Sequence, residues 1–281
     1  MPELAWAVFP LLGIVAGGLA GLLGIGGGIV LVAAMVPMLP LFGVPPEAVM
    51  HVALATSLAS IIVTASASAN AHRKRGSVLW PTVAWLAPGL MLGGVAGSAW
   101  AIGVDGQTLA TLVGGFCLLM AARMAWPTRS TPAAAPGDSV IAPVPHGPWL
   151  GFAGGVIGAV SAVVGIGGGS LTVPLLVSRG VATVRAVGTS SACGVVIALA
   201  SAATYALLPS IGAAPPSGAA AATKAFGMVG HVHVPAAVGI GLGAWFAAPY
   251  GVRLAHRLSG VALARVFAVA LASVGVALLW P

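Results

Sequence analysis

Two short stretches leave the backbone bare in the middle of apolar sequence. Gly24-Ile25-Gly26-Gly27-Gly28 follows one hydrophobic run, and Gly165-Ile166-Gly167-Gly168-Gly169 follows another. Glycine lets the chain turn with positive φ and lets a ligand approach the backbone closely. Where a helix restarts, at about Gly28 and Gly169, its first N–H groups lack intrahelical partners and its dipole end is positive. Two such ends brought together would hold a small anion without a fixed cationic side chain. Hydroxyl pairs stand at matching places further on, Thr56-Ser57 and Thr189-Ser190, and Ser170 directly follows the second pentad. Hydroxyls donate to anion oxygens. The plain alternatives are packing through small residues for the glycines, and hydrogen bonding to the preceding turn or a neighbouring helix for the hydroxyls.

The pentads are not nucleotide loops. A phosphate-binding loop needs Gly-Lys-Ser/Thr at its end, and Gly28-Ile29-Val30 and Gly169-Ser170-Leu171 do not supply it; the dinucleotide fingerprint needs glycine where Ile29 and Ser170 stand. Glu47 and His51, one helical turn apart at the lip of an apolar segment, are candidates for a proton-responsive pair, against plain interfacial solvation. His231 and His233 offer two nitrogens where a metal site needs more ligands, so no metal is expected. Arg185 begins the segment carrying Thr189 and Ser190, with a role in attracting anions or in setting topology.

The elements that position these residues are membrane helices. Hydrophobic residues make up 59% of the chain and charged residues 5%, against roughly 25% charged in a soluble domain. The mean hydropathy is +1.09. Long, continuously apolar runs indicate a polytopic helical protein rather than a barrel with alternating polarity. A net charge of +7 would suggest nucleic acid in a soluble chain; here the 11 basic residues lie in short loops and read as topology signals, so no nucleic-acid partner is expected. Cys117 and Cys193 lie inside apolar runs and read as packing residues. Met1 to Ala7 lacks a basic leader and carries Glu3, so it reads as part of a retained first segment.

The chain is internally duplicated. Besides the pentads, Ala55-Thr56-Ser57 is echoed by Gly188-Thr189-Ser190, and Gly76-Ser77-Val78 by Gly230-His231-Val232. Apolar segments fall at about 4–23, 25–42, 48–70, 78–101 and 107–126, then at about 149–164, 166–178, 186–208, 232–250 and 260–280. A Pro-rich linker divides them. The expected domains are a first repeat at 1–126, a cytoplasmic linker at 127–147 and a second repeat at 148–281.

Each repeat holds five elements, an odd number, so the halves should be inverted relative to each other. With Arg73-Lys74-Arg75 in the cytoplasm, alternation places Arg123, Arg129, Arg179, Arg185, Arg253, Arg257 and Arg265 inside as well, and only Lys224 outside. Both termini then lie outside. A hydrocarbon core of ~30 Å needs about 20 helical residues. Gly169 to Arg179 supplies about half of that. A re-entrant hairpin turning at the glycines fits better than two spans, and symmetry places Gly24 to Gly28 in a second hairpin from the opposite side. Non-helical backbone at that depth must be buried in protein or line a cavity, and broken helices in inverted repeats are where transporters bind substrates. Trp80, Trp100, Trp126, Trp149 and Trp280 sit near segment ends, as interfacial anchors do.

The pattern Gly17-x-x-x-Gly21-x-x-Gly24-Ile25-Gly26-Gly27-Gly28, then Ala55-Thr56-Ser57 and Gly93-x-x-x-Gly97, resembles the sulfite exporter TauE/SafE family, with second-half echoes at Gly165 to Gly169, Thr189-Ser190 and Gly251-Val252-Arg253-Leu254. The resemblance covers nearly the whole chain except the linker. It implies a permease of the cytoplasmic membrane moving sulfite, sulfonates or related organosulfur anions, with no cofactor and no catalytic residues. Ala33 stands where the second half has Pro174, which predicts an outer hairpin without a kink, and Ala162 replaces the glycine matching Gly21, which predicts looser packing of the inner one.

The expectation is therefore an all-α polytopic membrane protein of two inverted repeats, with 8–10 helical elements in total. Its expected activity is secondary transport of a small anion at the glycine breaks. A passive anion channel with the same site is the alternative. An intramembrane enzyme would need a clustered acid, base or metal set, which the sequence does not offer.

Overall fold

The computed structural model describes residues 2–23, 27–125, 145–211, 227–255 and 260–279. Gly24, Gly26, most of the linker, Trp126, Arg129, Lys224, Arg257 and Trp280 lie outside the described residues. The helices are α1 (Pro2–Leu23), α2 (Gly28–Met38), α3 (Pro46–Arg73), α4 (Trp80–Ile102), α5 (Gly106–Ala125), α6 (Trp149–Val164), α7 (Gly169–Ser178), α8 (Thr183–Leu207), α9 (Val234–Ala255) and α10 (Gly260–Leu279). A two-residue antiparallel ladder, β1 (Met228–Val229) with β2 (Val232–His233), leads into α9. The chain is an all-α polytopic membrane protein.

Composition explains why these helices need lipid. Phe152 on α6 is 80% exposed and Leu92 on α4 is 74% exposed, and Phe246 and Val269 face outward in the same way. An apolar surface of this kind is stable only against hydrocarbon or a partner. α3 and α8 turn most of their residues inward instead. They are buried over most of their length and cross each other at the centre.

The principal helix pairings are α1 with α9, α4 with α6, α3 with α8, α5 with α10, α3 with α9 and α4 with α8. Exchanging the first five helices with the last five maps these pairings onto themselves. The two outer pairs are built alike, on small residues at every fourth position. A Cβ at Gly13, Gly17 or Gly21 of α1 would strike the backbone of Ile240, Ala244 or Ala248 on α9; a Cβ at Gly89, Gly93 or Gly97 of α4 would strike that of Gly151, Gly155 or Ala159 on α6. Such spacing lets backbones approach closely where no hydrophobic force draws helices together. Packing is thus the role of Gly93 and Gly97, and of Gly13 and Gly17.

α6 and α7 form a hairpin. With 16 and 10 residues they are about 24 Å and 15 Å long, and a hydrocarbon core is ~30 Å thick. Their outer ends meet: the Arg179 guanidinium lies 4.0 Å above the Trp149 ring. Leu176 and Val181 near that end pack on Leu79 at the start of α4 and Ala186 at the start of α8. The Arg73-Lys74-Arg75 loop, Arg179 and Arg185 therefore share one end of the bundle. In the first half α1 is longer, with 22 residues, and α2 carries Pro37 before running into a 3-10 turn at Leu39–Phe42. α2 runs without interruption past Ala33 and gives way to the 3-10 turn only after Met38.

Candidate functional site

The glycine turns are built in matching ways. Gly27 (φ 71°) caps α2 and Gly168 (φ 83°) caps α7, both left-handed. Gly165 and Gly167 are also at positive φ, 75° and 66°. Side chains with a Cβ pay roughly 1–2 kcal/mol to enter that region. No side chain caps either helix, in a position where Ser, Thr, Asp or Asn is usual. The first turns of α2 and α7 thus present their N–H groups without a competing carboxylate or hydroxyl cap.

The two turns touch. A Cβ on Gly28 would strike the Gly165 carbonyl oxygen, and one on Gly165 would stand 3.0 Å from Val32 Cγ2 and 2.9 Å from Leu54 Cδ2. The Ser57 hydroxyl lies between them, donating to the Gly28 carbonyl at 3.0 Å and facing the Gly165 carbonyl at 3.3 Å. Ser57 is midway along α3. The Gly167 carbonyl lies beside Gly194, midway along α8, and Gly169 is the buried first residue of α7. Of the sequence candidates, the structure brings Gly27, Gly28, Ser57, Gly165, Gly167, Gly168 and Gly169 together at the centre.

The duplicated threonines each accept a backbone N–H. Thr56 Oγ1 accepts the His233 N–H at 2.9 Å, and Thr189 Oγ1 accepts the Leu79 N–H at 3.0 Å while donating to the Arg185 carbonyl at 2.7 Å. His233 and Leu79 are the residues immediately before α9 and α4. Each threonine therefore fastens the start of a long helix to a central one, the same way in both halves. Ser190 is buried on α8.

Three hydroxyls at the second turn are different. Ser161 (1% exposed), Ser170 (6%) and Thr172 (0%) have no hydrogen-bond partner. Ser161 Oγ lies 3.7 Å from where a Cβ on Gly168 would stand, at the cap of α7. A buried hydroxyl without a partner costs roughly 1–3 kcal/mol. With the pentads aligned, the first half has Ala20, Ile29 and Leu31 at these places. Sequence reasoning raised Ser170 and missed Ser161 and Thr172. The signal was present, as polar residues in one repeat opposite apolar ones in the other.

The expected pair of Glu47 and His51 is not what the structure assembles. Glu47 is exposed. His51 is buried, with Nε2 2.8 Å from the Val104 carbonyl and its ring 5.6 Å from that of His231, centroid to centroid. Tyr205 stands edge-on to His231 at 6.4 Å, and His231 Nδ1 has no partner. Burial, and then the neighbouring His51, push His231 down to about 4. His233 points elsewhere: its Nδ1 accepts the Ala236 N–H at 3.2 Å and its ring lies against Phe9 and Phe42. Among the described residues, no three His, Cys, Asp or Glu side chains are placed to hold a metal ion.

Apolar helices crossing a bilayer, broken at the centre by paired glycine turns, are the architecture of a multi-pass membrane transporter. Residues 9–278 match the family described as Sulfite exporter TauE/SafE, and the chain belongs to that family. It is 31% identical over 271 residues, 95% of each chain, to a protein of Haemophilus influenzae named "Probable membrane transporter protein". It is 32% identical over 171 residues, 60% of this chain and 62% of the other, to a protein of Xylella fastidiosa with the same name. No solved structure matches the chain. The protein is a membrane transporter and not an enzyme.

Proposed function

We propose that the protein is a secondary transporter of the cytoplasmic membrane for a small oxyanion: sulfite, a sulfonate or a related organosulfur compound. The observation that carries this reading is the contact between the two glycine turns, Gly28 against the Gly165 carbonyl, midway along the central helices. It brings an uncapped helix N-terminus from each half into the middle of the bundle, where an anion gains most from N–H donors. The unpartnered hydroxyls of Ser161 and Ser170 add donors on the second-half side. Thr56, Thr189 and Ser57 hold the frame around the site.

The exchange pattern of the helices supports two repeats at 1–126 and 148–281. The odd number of elements in each and the placement of the basic residues support their inversion, with the linker and the arginine-rich end in the cytoplasm and both termini outside. Because the turns lie against each other, an anion enters only when one half moves relative to the other. That favours alternating access over the passive channel, which needs a continuous opening. The test is uptake of labelled sulfite and methanesulfonate into proteoliposomes. Saturable uptake that an imposed gradient drives uphill, and that Gly168→Val abolishes, is expected. Non-saturable flux that follows the anion's own gradient only would identify a channel, and undiminished flux in Gly168→Val would remove the central site.

A further inference from the structure

We propose that His51 and His231 form a proton-binding pair that latches the two halves together at the end of the bundle remote from the Arg73-Lys74-Arg75 loop. The pair rests on geometry. His51 is in the second turn of α3, in the first half; His231 is in the turn before α9, in the second. Their rings lie 5.6 Å apart, centroid to centroid, and both are buried. One turn further along α3, the Thr56 bond to the His233 N–H ties the same two segments. The His pair is thus part of a seam that must separate if this end is to open.

The chemistry makes the seam sensitive to protons. His51 Nε2 is committed to the Val104 carbonyl, while His231 Nδ1 has no partner. A proton taken by the pair puts a cation where burial penalises it and where a second imidazole repels any further charge. The other groups around the pair offer no compensating anion at the rings. Glu47, on α3 itself, is exposed; the Asp105 carboxylate, next to Val104, accepts the Thr108 N–H at 2.9 Å. Tyr205, at the end of α8, presents its ring edge, and His233 has its Nδ1 on the Ala236 N–H.

The closed seam therefore disfavours a proton on His231, and the open one lets His231 take it up. The sign follows from linkage. His231 sits at about 4 in the closed seam and would return to about 6.5 when exposed. The latch is at full strength above pH ~6.5 and weakens progressively as pH falls towards 4. Proton uptake from the outer side would then accompany each opening of that side to the anion, a coupling that works in both directions. No counterpart exists at the other end: in the aligned second half, Val184 stands where His51 does, and Ser77 takes the place of His231 in the first.

The latch rests on the transport reading for its use, but not for its test. Histidine-labelled full-length protein in lipid nanodiscs, titrated by NMR from pH 8 to 4, should show the His231 ring titrating below the free range. His51→Gln should raise that midpoint, because the neighbouring imidazole that lowers it is gone. In proteoliposomes, methanesulfonate keeps a constant charge over this range, so its uptake reports the protein alone. Wild-type uptake should rise as external pH falls from 7.5 to 5.5. His51→Gln and His231→Gln should flatten that profile, and Glu47→Gln should keep it. A His231 midpoint unmoved by His51→Gln, or an unchanged pH profile in both His variants, would overturn the latch. No uptake of any anion by the wild type would count against transport, and the NMR arm would still decide whether the pair exists.

Discussion

The two glycine turns share a pentad, left-handed caps and threonine fastenings, and differ in what surrounds them. The second turn carries Ser161, Ser170 and Thr172, none with a hydrogen-bond partner; the first has Ala20, Ile29 and Leu31 in their place. Features repeated in both halves are those the fold requires: a bare backbone where the turns meet, and a hydroxyl to hold the start of each long helix. Features found in one half only are not required by the fold. Three buried, unsatisfied hydroxyls would each cost stability with no structural return. Their placement around one helix N-terminus fits a ligand that completes their hydrogen bonds. By this reasoning, symmetry marks the scaffold and asymmetry marks the ligand's side.

The comparison can be broken by substitution. Gly28→Val should have the largest effect, because its Cβ meets the Gly165 carbonyl and Ile61. A displacement of about 1 Å at a binding centre costs on the order of 100-fold, so flux should fall to background while the protein still reaches the membrane, measured by uptake and immunoblot together. Ser161→Ala should weaken anion affinity by about ten-fold, the worth of one hydrogen bond to a charged group. It should also raise the melting temperature of the anion-free protein, since an unsatisfied hydroxyl is removed. Ala20→Ser, the same change reversed in the other half, should leave affinity unaltered.

Thr56→Val and Thr189→Val should behave as a matched pair. Each leaves a buried N–H without its acceptor and should cost about 1–2 kcal/mol of stability, read as a lower melting temperature with unchanged anion affinity. A loss of affinity in only one of them would mean that this threonine also touches the anion. Trp149→Leu should have the smallest effect, about 0.5–1 kcal/mol for the lost cation–π contact with Arg179. It should be seen in thermal unfolding and not in transport.

Much of this architecture was legible because it is local or repeated. Length decides that Gly169 to Ser178 falls short of a bilayer, and spacing decides that Gly13, Gly17 and Gly21 form one stripe. The duplication could be read by eye. What the sequence could not show was which partner lies across a gap. Thr56 and Thr189 looked like ligand contacts because they are hydroxyls in apolar helices; only the fold reveals the His233 and Leu79 N–H groups opposite them. Glu47 and His51 are correctly spaced to pair along a helix. Burial of the His51 face turns the ring towards Val104 and His231 instead, and that approach depends on how the halves dock. Ser161 could have been found earlier by asking where aligned repeats disagree in polarity.

The most direct test of the central claim is equilibrium binding of labelled sulfite to purified protein in nanodiscs, comparing wild type with Ser161→Ala, Ser170→Ala and their double variant. Stepwise loss, about ten-fold for each single change and greater for the double, with Ala20→Ser unchanged, is the predicted result. Equal affinity in wild type and double variant, with sulfite still bound, would contradict the assignment of the anion to the second turn.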